Sequence, residues 1–205
     1  MFVLPNCRKS YSAYEPYIDE PTMKIHHLGH HKGYVEKLNR GLVDMEFSTE
    51  RIEDIFEKIS DFPTLVRNNA GGHYNHTVFW STLNDSMSTP STELMKLITA
   101  KYGIMEDFRA EFTKAALLLF GSGWVWLVVN SDGELDIVTT KNQDNPLMSD
   151  INSGYPLFGL DIWEHAYYMK HQNKRINYIK DFWSVLDWDT VSIRLSERPE
   201  MNDLA

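Results

Sequence analysis

The chain predicts an α+β fold: an N-terminal long helical hairpin over residues 1–88, then a C-terminal domain over residues 89–205 with a three-stranded antiparallel sheet and helices. Three observations carry this reading. Long helix-compatible stretches come first. A polar tract, NDSMSTPST at 84–92, then breaks the chain. Beyond it, two more helical stretches lead into short apolar segments separated by turn residues.

Glu15-Pro16 marks a turn, after which Thr22 to Arg40 reads as one long helix with Gly41 as its stop. Residues 48–61 are polar but helix-compatible and end before Pro63. A third helix covers Thr64 to Leu83 and carries His73 and His76. Its Gly71-Gly72 pair costs about 1 kcal/mol per glycine in a helix. Such a pair implies that something bulky comes close, and the candidate is an active site. Thr92 to Tyr102 and Glu106 to Phe120 read as helices, each followed by a glycine, Gly103 and Gly121. Trp124 to Val129 reads as a buried strand, Asn130 to Gly133 as a hairpin turn, and Glu134 to Thr140 alternates as a strand should. Tyr155 to Asp161 supplies a third strand, and a helix from Glu164 to Val185 closes the fold.

The 205 residues, 42% hydrophobic and 13% aromatic, suffice for a packed core. A single cysteine, Cys7, excludes an internal disulfide. The longest apolar run, Ala115 to Val129, is broken by Gly121, Ser122 and Gly123 and falls short of the about 20 residues a bilayer span needs. Phe2 to Leu4 before Pro5 offers no signal-peptide core, so the expected location is cytoplasmic. A net charge of −9 without a basic run argues against nucleic acid and anionic membranes as partners.

The histidines point to chemistry. In HHLGHHKGY, steps of four residues place His26, His30 and Tyr34 on one helical stripe, with His27 and His31 on the next. GGHYNHTVFW adds His73 and His76, and DIWEHAYY adds Asp161 and His165. Three separated segments offering imidazole, one with a carboxylate, suggest a single metal site assembled from distant parts of the chain. Taken one at a time these residues have blander uses: Asp161 as a helix N-cap, Gln143 as a loop residue, Tyr34 and the tryptophans as core aromatics.

The segments HHLGHHKGYVEKLN, NNAGGHYNHTVFW, FTKAALLLFGSGWVWL, NQDNPL, LDIWEHAYY and FWSVLDWDTV resemble those of the iron/manganese superoxide dismutases, in family order from about residue 14 to residue 191. The resemblance implies metal ligation by His26, His76, Asp161 and His165. It implies that Gln143 hydrogen-bonds metal-bound solvent, that Tyr34 connects to Gln143 and gates access with His30 beside it, and that Trp126 and Trp163 line the cavity. The iron type commonly places its glutamine four residues before the second His ligand. That position is Gly72 here, so the pattern is the manganese one, with iron as the alternative metal. The implied substrate is superoxide and the implied assembly a homodimer or higher homo-oligomer, with Glu164, Tyr168 and Ser122 at the interface. The chain departs from the family pattern at Gly29, where a lysine is usual, at Tyr17 in place of a histidine, and at Arg175-Ile176 in place of an arginine-proline pair. Lys32 and Arg175 are then the expected cations for guiding an anion. A catalytically silent homologue and a non-haem iron oxygenase are the competing readings. The first expects a lost ligand; the second expects two His and one carboxylate with open positions.

Overall fold

The computed structural model describes residues 1–199. Residues 200–205, assigned above to the C-terminal domain, lie outside the described residues. Helix α1 (Glu20–Ile25) begins after Asp19 with Pro21 in its first turn and passes directly into a π-helical turn at His26–His31, then into α2 (Lys32–Asp44). Val35, Leu38 and Leu42 form its buried stripe. The expected stop at Gly41 is not there, because α2 runs on to Asp44. A Cβ at Gly41 would lie 2.8 Å from Leu65 Cδ2 and 3.0 Å from Val66 Cγ2. The glycine therefore lets two helices approach, and it does not end one.

The 48–61 stretch is not one helix. It holds α3 (Glu53–Phe56) and a 3-10 turn at Ile59–Asp61, separated at Lys58, whose backbone (φ −123°, ψ 29°) leaves the helical region. Helix α4 (Thr64–Ser81) packs along α2 and is buried at every position from Asn69 to Trp80 except Thr77. Helices α5 (Thr92–Tyr102) and α6 (Met105–Leu118) follow the linker.

The sheet has the order β2-β1-β3, all antiparallel. Its central strand β1 (Gly123–Val129) is buried throughout and is flanked by β2 (Leu135–Lys141) and β3 (Tyr155–Asp161). The register sets Trp124 opposite both Thr140 and Asp161, and Trp126 opposite Val138 and Gly159. In the hairpin turn, Asn130 Oδ1 accepts from the amides of Asp132 and Glu134, and Gly133 takes the positive φ of 78°.

The long closing helix expected from Glu164 to Val185 is three pieces: a 3-10 turn at Glu164–Ala166, α7 (Tyr168–His171) and α8 (Arg175–Phe182). Gln172 breaks it by adopting a left-handed φ of 51°. A further helix, α9 (Trp188–Ser196), comes last. Its N-cap, Asp187, is buried. Oδ1 accepts from the amides of Asp189 and Thr190, while Oδ2 accepts from Arg8 at 2.8 Å and from the Thr190 hydroxyl at 2.8 Å. One carboxylate thus fastens the N-terminal arm to the last helix. Burial acts to raise the Asp187 carboxyl, but hydrogen bonds from Thr190 and Arg8 outweigh it and hold it below its ordinary value. A depressed carboxyl stabilises the fold above its unfolded value, about pH 4, and the contribution is lost as pH falls below it. Asp187→Ala is expected to cost about 1–2 kcal/mol at pH 7, with the gap to wild type narrowing toward pH 3. Urea midpoints at the two pH values check this, and a pH-independent gap would refute it.

Candidate metal centre

Four elements converge on one atom. His26 opens the π-helical turn, His76 lies within α4, Asp161 ends β3, and His165 sits in the 3-10 turn that follows. His26 Nε2 and His165 Nε2 each lie 3.0 Å from Asp161 Oδ2, and His76 Nε2 lies 3.5 Å from it. The four donor atoms fall within 4.8 Å of one another. The other carboxylate oxygen, Oδ1, accepts the Trp163 amide at 2.9 Å. Asp161 is not the helix N-cap that its position also allowed, since Trp163 holds that place; Oδ1 accepts an amide two residues on, and Oδ2 faces the imidazoles.

The hydrogen bonds show what this constellation is built to hold. His76 Nδ1 is 2.6 Å from the Gly72 carbonyl, which only accepts, so Nδ1 carries the proton. His76 Nε2 is then a buried lone pair with no hydrogen-bond partner, aimed at a carboxylate oxygen. Two acceptors facing each other in a dry pocket repel unless a cation lies between them. Burial lowers His76 and takes His26 well below its ordinary value, despite the adjacent carboxylate. Burial acts to raise Asp161, but His165, His26 and His76 outweigh it and keep the carboxyl well below the usual range. Three imidazoles and one carboxylate fit a first-row transition metal, manganese and iron included.

Around these ligands runs a hydrogen-bonded chain. Gln143 Nε2 donates to the Tyr34 hydroxyl at 3.1 Å, while Gln143 Oε1 accepts from Trp124 Nε1 at 3.0 Å and Asn75 Nδ2 at 3.3 Å. The two donors to Oε1 fix which way the amide faces. Tyr34 lies beside His76, with ring centroids 5.2 Å apart, and burial together with Asp161 pushes its phenol up to about 12. His30 stacks on His165 at 4.0 Å, and burial, aided by His165 and His76, lowers it to about 4. The glycine pair in α4 now has its reason. A Cβ at Gly71 would meet the Gln143 carbonyl oxygen at 1.9 Å, and one at Gly72 would meet the Tyr34 ring at 2.6 Å.

Trp163 stands beside His165, ring centroids 5.6 Å apart, and its indole donates to the Asn142 carbonyl. Trp126 stacks behind Trp124 and donates to Thr140. It is Trp124, edge-on to His76, that touches the site. Asn75 has no sequence signal that marks it, and Trp124 has none that sets it apart from Trp126. Alternation in a strand puts residues 124 and 126 on one face and cannot choose between them. His27 and His31 serve structure. His27 donates to the Pro5 carbonyl and accepts from Tyr11, and His31 accepts from Trp80 and donates to His73. Glu164 and Tyr168 are exposed and Ser122 is half-buried. Lys32 is exposed and pairs loosely with Glu36 at 3.8 Å. Arg175 donates to the carbonyls of Leu119 at 2.9 Å and Ala116 at 3.3 Å.

Gly72→Ala is expected to displace the Tyr34 ring and destabilise the fold by about 1–3 kcal/mol through overpacking. A lowered denaturation midpoint and a moved Tyr34 in the variant's structure are the readouts. An unchanged ring position would show that α4 has room to give.

The sequence comparisons agree with this geometry. Residues 1–84 match the α-hairpin domain of iron/manganese superoxide dismutases, and residues 90–194 match their C-terminal domain. The manganese superoxide dismutase of Buchnera aphidicola is 47% identical over 203 residues, covering 96% of this chain and 99% of its own length. That of Escherichia coli K12 is 44% identical over 205 residues, covering 96% and 98%. That of Acinetobacter baylyi is 47% identical over 190 residues, covering 91% and 83%. With both domain families matched in order and the ligand constellation assembled between them, this chain belongs to the iron/manganese superoxide dismutase family.

Proposed function

We propose that this protein disproportionates superoxide, converting two superoxide anions and two protons to oxygen and hydrogen peroxide, with one manganese held by His26, His76, Asp161 and His165. The observation that carries the reading is the unpartnered His76 lone pair facing Asp161, with Gln143 and Tyr34 linked beside it. When bound, the metal supplies one-electron redox cycling. The chain supplies the rest. Asp161 brings one fixed negative charge, so the site neutralises part of the cation's charge in a pocket that solvates poorly. Gln143 gives one amide hydrogen to Tyr34 and keeps a second for a solvent molecule. Tyr34 accepts from Gln143 and retains its own hydroxyl proton, which its raised pKa keeps in place at neutral pH. These two groups hold and orient a proton where a reduced dioxygen species needs one.

Manganese is favoured over iron because the glutamine comes from the loop at 143. The Tyr34 ring fills the space that a side chain at position 72 would take. A catalytically silent role is disfavoured because all four ligands are present and converge.

The expected assembly is a homodimer or higher homo-oligomer, with Glu164, Tyr168 and Ser122 at the contact. In support, Glu164 and Tyr168 flank His165 and are exposed in the single chain, as is Phe120 at 97%. Lys32 and Arg175 are assigned to guiding the anion. The domain boundary is assigned to 88/89 and the location to the cytoplasm. Among the described residues no helix is long and apolar enough to cross a membrane.

Metal analysis of the purified protein, with superoxide-consumption assays on its manganese- and iron-loaded forms, tests the assignment. His165→Ala is expected to fold yet lose most of its metal and activity, since a ligand is gone. Full occupancy and wild-type turnover would overturn the site. Gln143→Ala is expected to keep metal but turn over about 10–100-fold more slowly. A rate equal to wild type would remove Gln143 from the mechanism.

A further inference from the structure

We propose that Arg67 is a positioning residue for Gln143, acting through Asp144 and Asp150. The inference rests on the reading of Gln143 given above. Gln143 lies in no helix or strand, because β2 ends at Lys141 and β3 begins at Tyr155. Its place is therefore set by whatever grips the turn around it. Asn142 takes a left-handed φ of 52°, and Asp144 N donates to the Lys141 carbonyl at 3.0 Å, which closes the turn locally. The outer grip comes from one stripe of α4, spaced i, i+4 and i+8. Asn75 Nδ2 donates to the Gln143 carbonyl at 3.0 Å. Gly71 leaves room for that carbonyl. Arg67 completes the stripe. Its Nε donates to Asp144 at 2.7 Å, and its Nη1 and Nη2 donate to Asp150 at 2.6 and 3.3 Å.

The chemistry favours clamping over a loose surface pair. Arg67 is only 20% exposed, and both acids lie on the same loop, one on each side of the Asn145-Pro146 corner. A guanidinium holds two carboxylates with a rigid fork of donors, which an ammonium cannot reproduce. The loop beyond is tied down as well, since Ser149 N donates to the Phe56 carbonyl. Removing the guanidinium leaves Asp144, the residue next to Gln143, without its counter-charge. The glutamine's bonds to Tyr34, Trp124 and Asn75 span 3.0–3.3 Å, so a small shift of the turn loosens all three.

The test uses manganese-loaded and metal-free protein and compares wild type, Arg67→Ala, Arg67→Lys and Gln143→Ala. Lys101→Ala is the control. It deletes another ion pair, with Glu134 and Asp136, outside this loop. Hydrogen exchange of peptides covering 142–148 reads the turn, and the alkaline limb of the pH–activity profile reads the glutamine. Arg67→Ala is expected to exchange about tenfold faster there in both metal states. Its alkaline limb should move in the same direction as that of Gln143→Ala. Arg67→Lys should recover part of each effect, and Lys101→Ala should show neither. If Arg67→Ala fails to fold, Asp150→Asn removes half of the clamp and should move both readouts the same way. Exchange unchanged from wild type overturns the proposal, as does faster exchange with an unmoved pH profile. A wild-type profile in Gln143→Ala would instead sink the role of Gln143, and exchange alone would then decide whether Arg67 holds the turn.

Discussion

The structure hangs on the oxygen atom Asp161 Oδ2. A fully buried carboxylate is costly unless every lone pair is answered. Here the Trp163 amide answers Oδ1, and three imidazoles gather at Oδ2, His26 and His76 from two distant segments and His165 from the turn just after the strand. Two of those imidazoles, His26 and His76, come from the helical half of the chain, while His165 and Asp161 come from the half that contains the sheet. The centre is therefore a joint between the halves, and each half alone leaves it incomplete. That requirement reaches back into the architecture. β3 ends where it does, opposite Trp124 on the central strand, so that Asp161 emerges under α4.

Helix α4 shows what the joint costs. A helix of 18 residues with two adjacent glycines gives up intrinsic stability, yet this one lies almost wholly in the interior. Tertiary packing offsets the weakness, as it does for most protein helices. In return the backbone comes close enough for the Gln143 carbonyl and the Tyr34 ring to lie directly against it. The Gly72 carbonyl also sets the His76 tautomer, so the helix that yields space also directs the ligand's lone pair.

Much of this was legible in the sequence, for identifiable reasons. A four-residue step survives the π-helical turn, so His26 and His30 both reach His165 as the stripe implied. The Asn-Ser-Asp-Gly turn specifies its own geometry through Asn130 and Gly133. What stayed hidden depends on contacts between distant residues. Gly41 resembles a helix stop, but only its neighbours Leu65 and Val66 reveal that it is a packing site. The break at Gln172 has no glycine or proline to announce it, since a glutamine there accepts a left-handed backbone. Trp124 and Trp126 are indistinguishable by strand period, and only the loop carrying Gln143 separates them. The metal centre was visible because ligands need particular chemical groups. Its supports were less visible because many side chains can fill space.

The cations illustrate the same limit, and they bear on how an anion reaches a chain of net charge −9. Arg175 answers the carbonyls of Ala116 and Leu119, where the dipole of α6 is negative, and lies over the Tyr167 ring. Its charge is fixed in place and partly neutralised by that helix end. Lys32 has Glu36 one turn away, which weakens its field at long range. Gly29 is exposed, and a Cβ there would meet only Ile25 Cγ2 at an ordinary 3.7 Å. No steric reason therefore bars a lysine from position 29. With Arg175 and Lys32 tempered and no cation at position 29, the guidance these three positions give an anion acts at short range. A metal held at Asp161 would add its charge over the last few ångströms, where the donors on Gln143 and Tyr34 stand with little solvent between them.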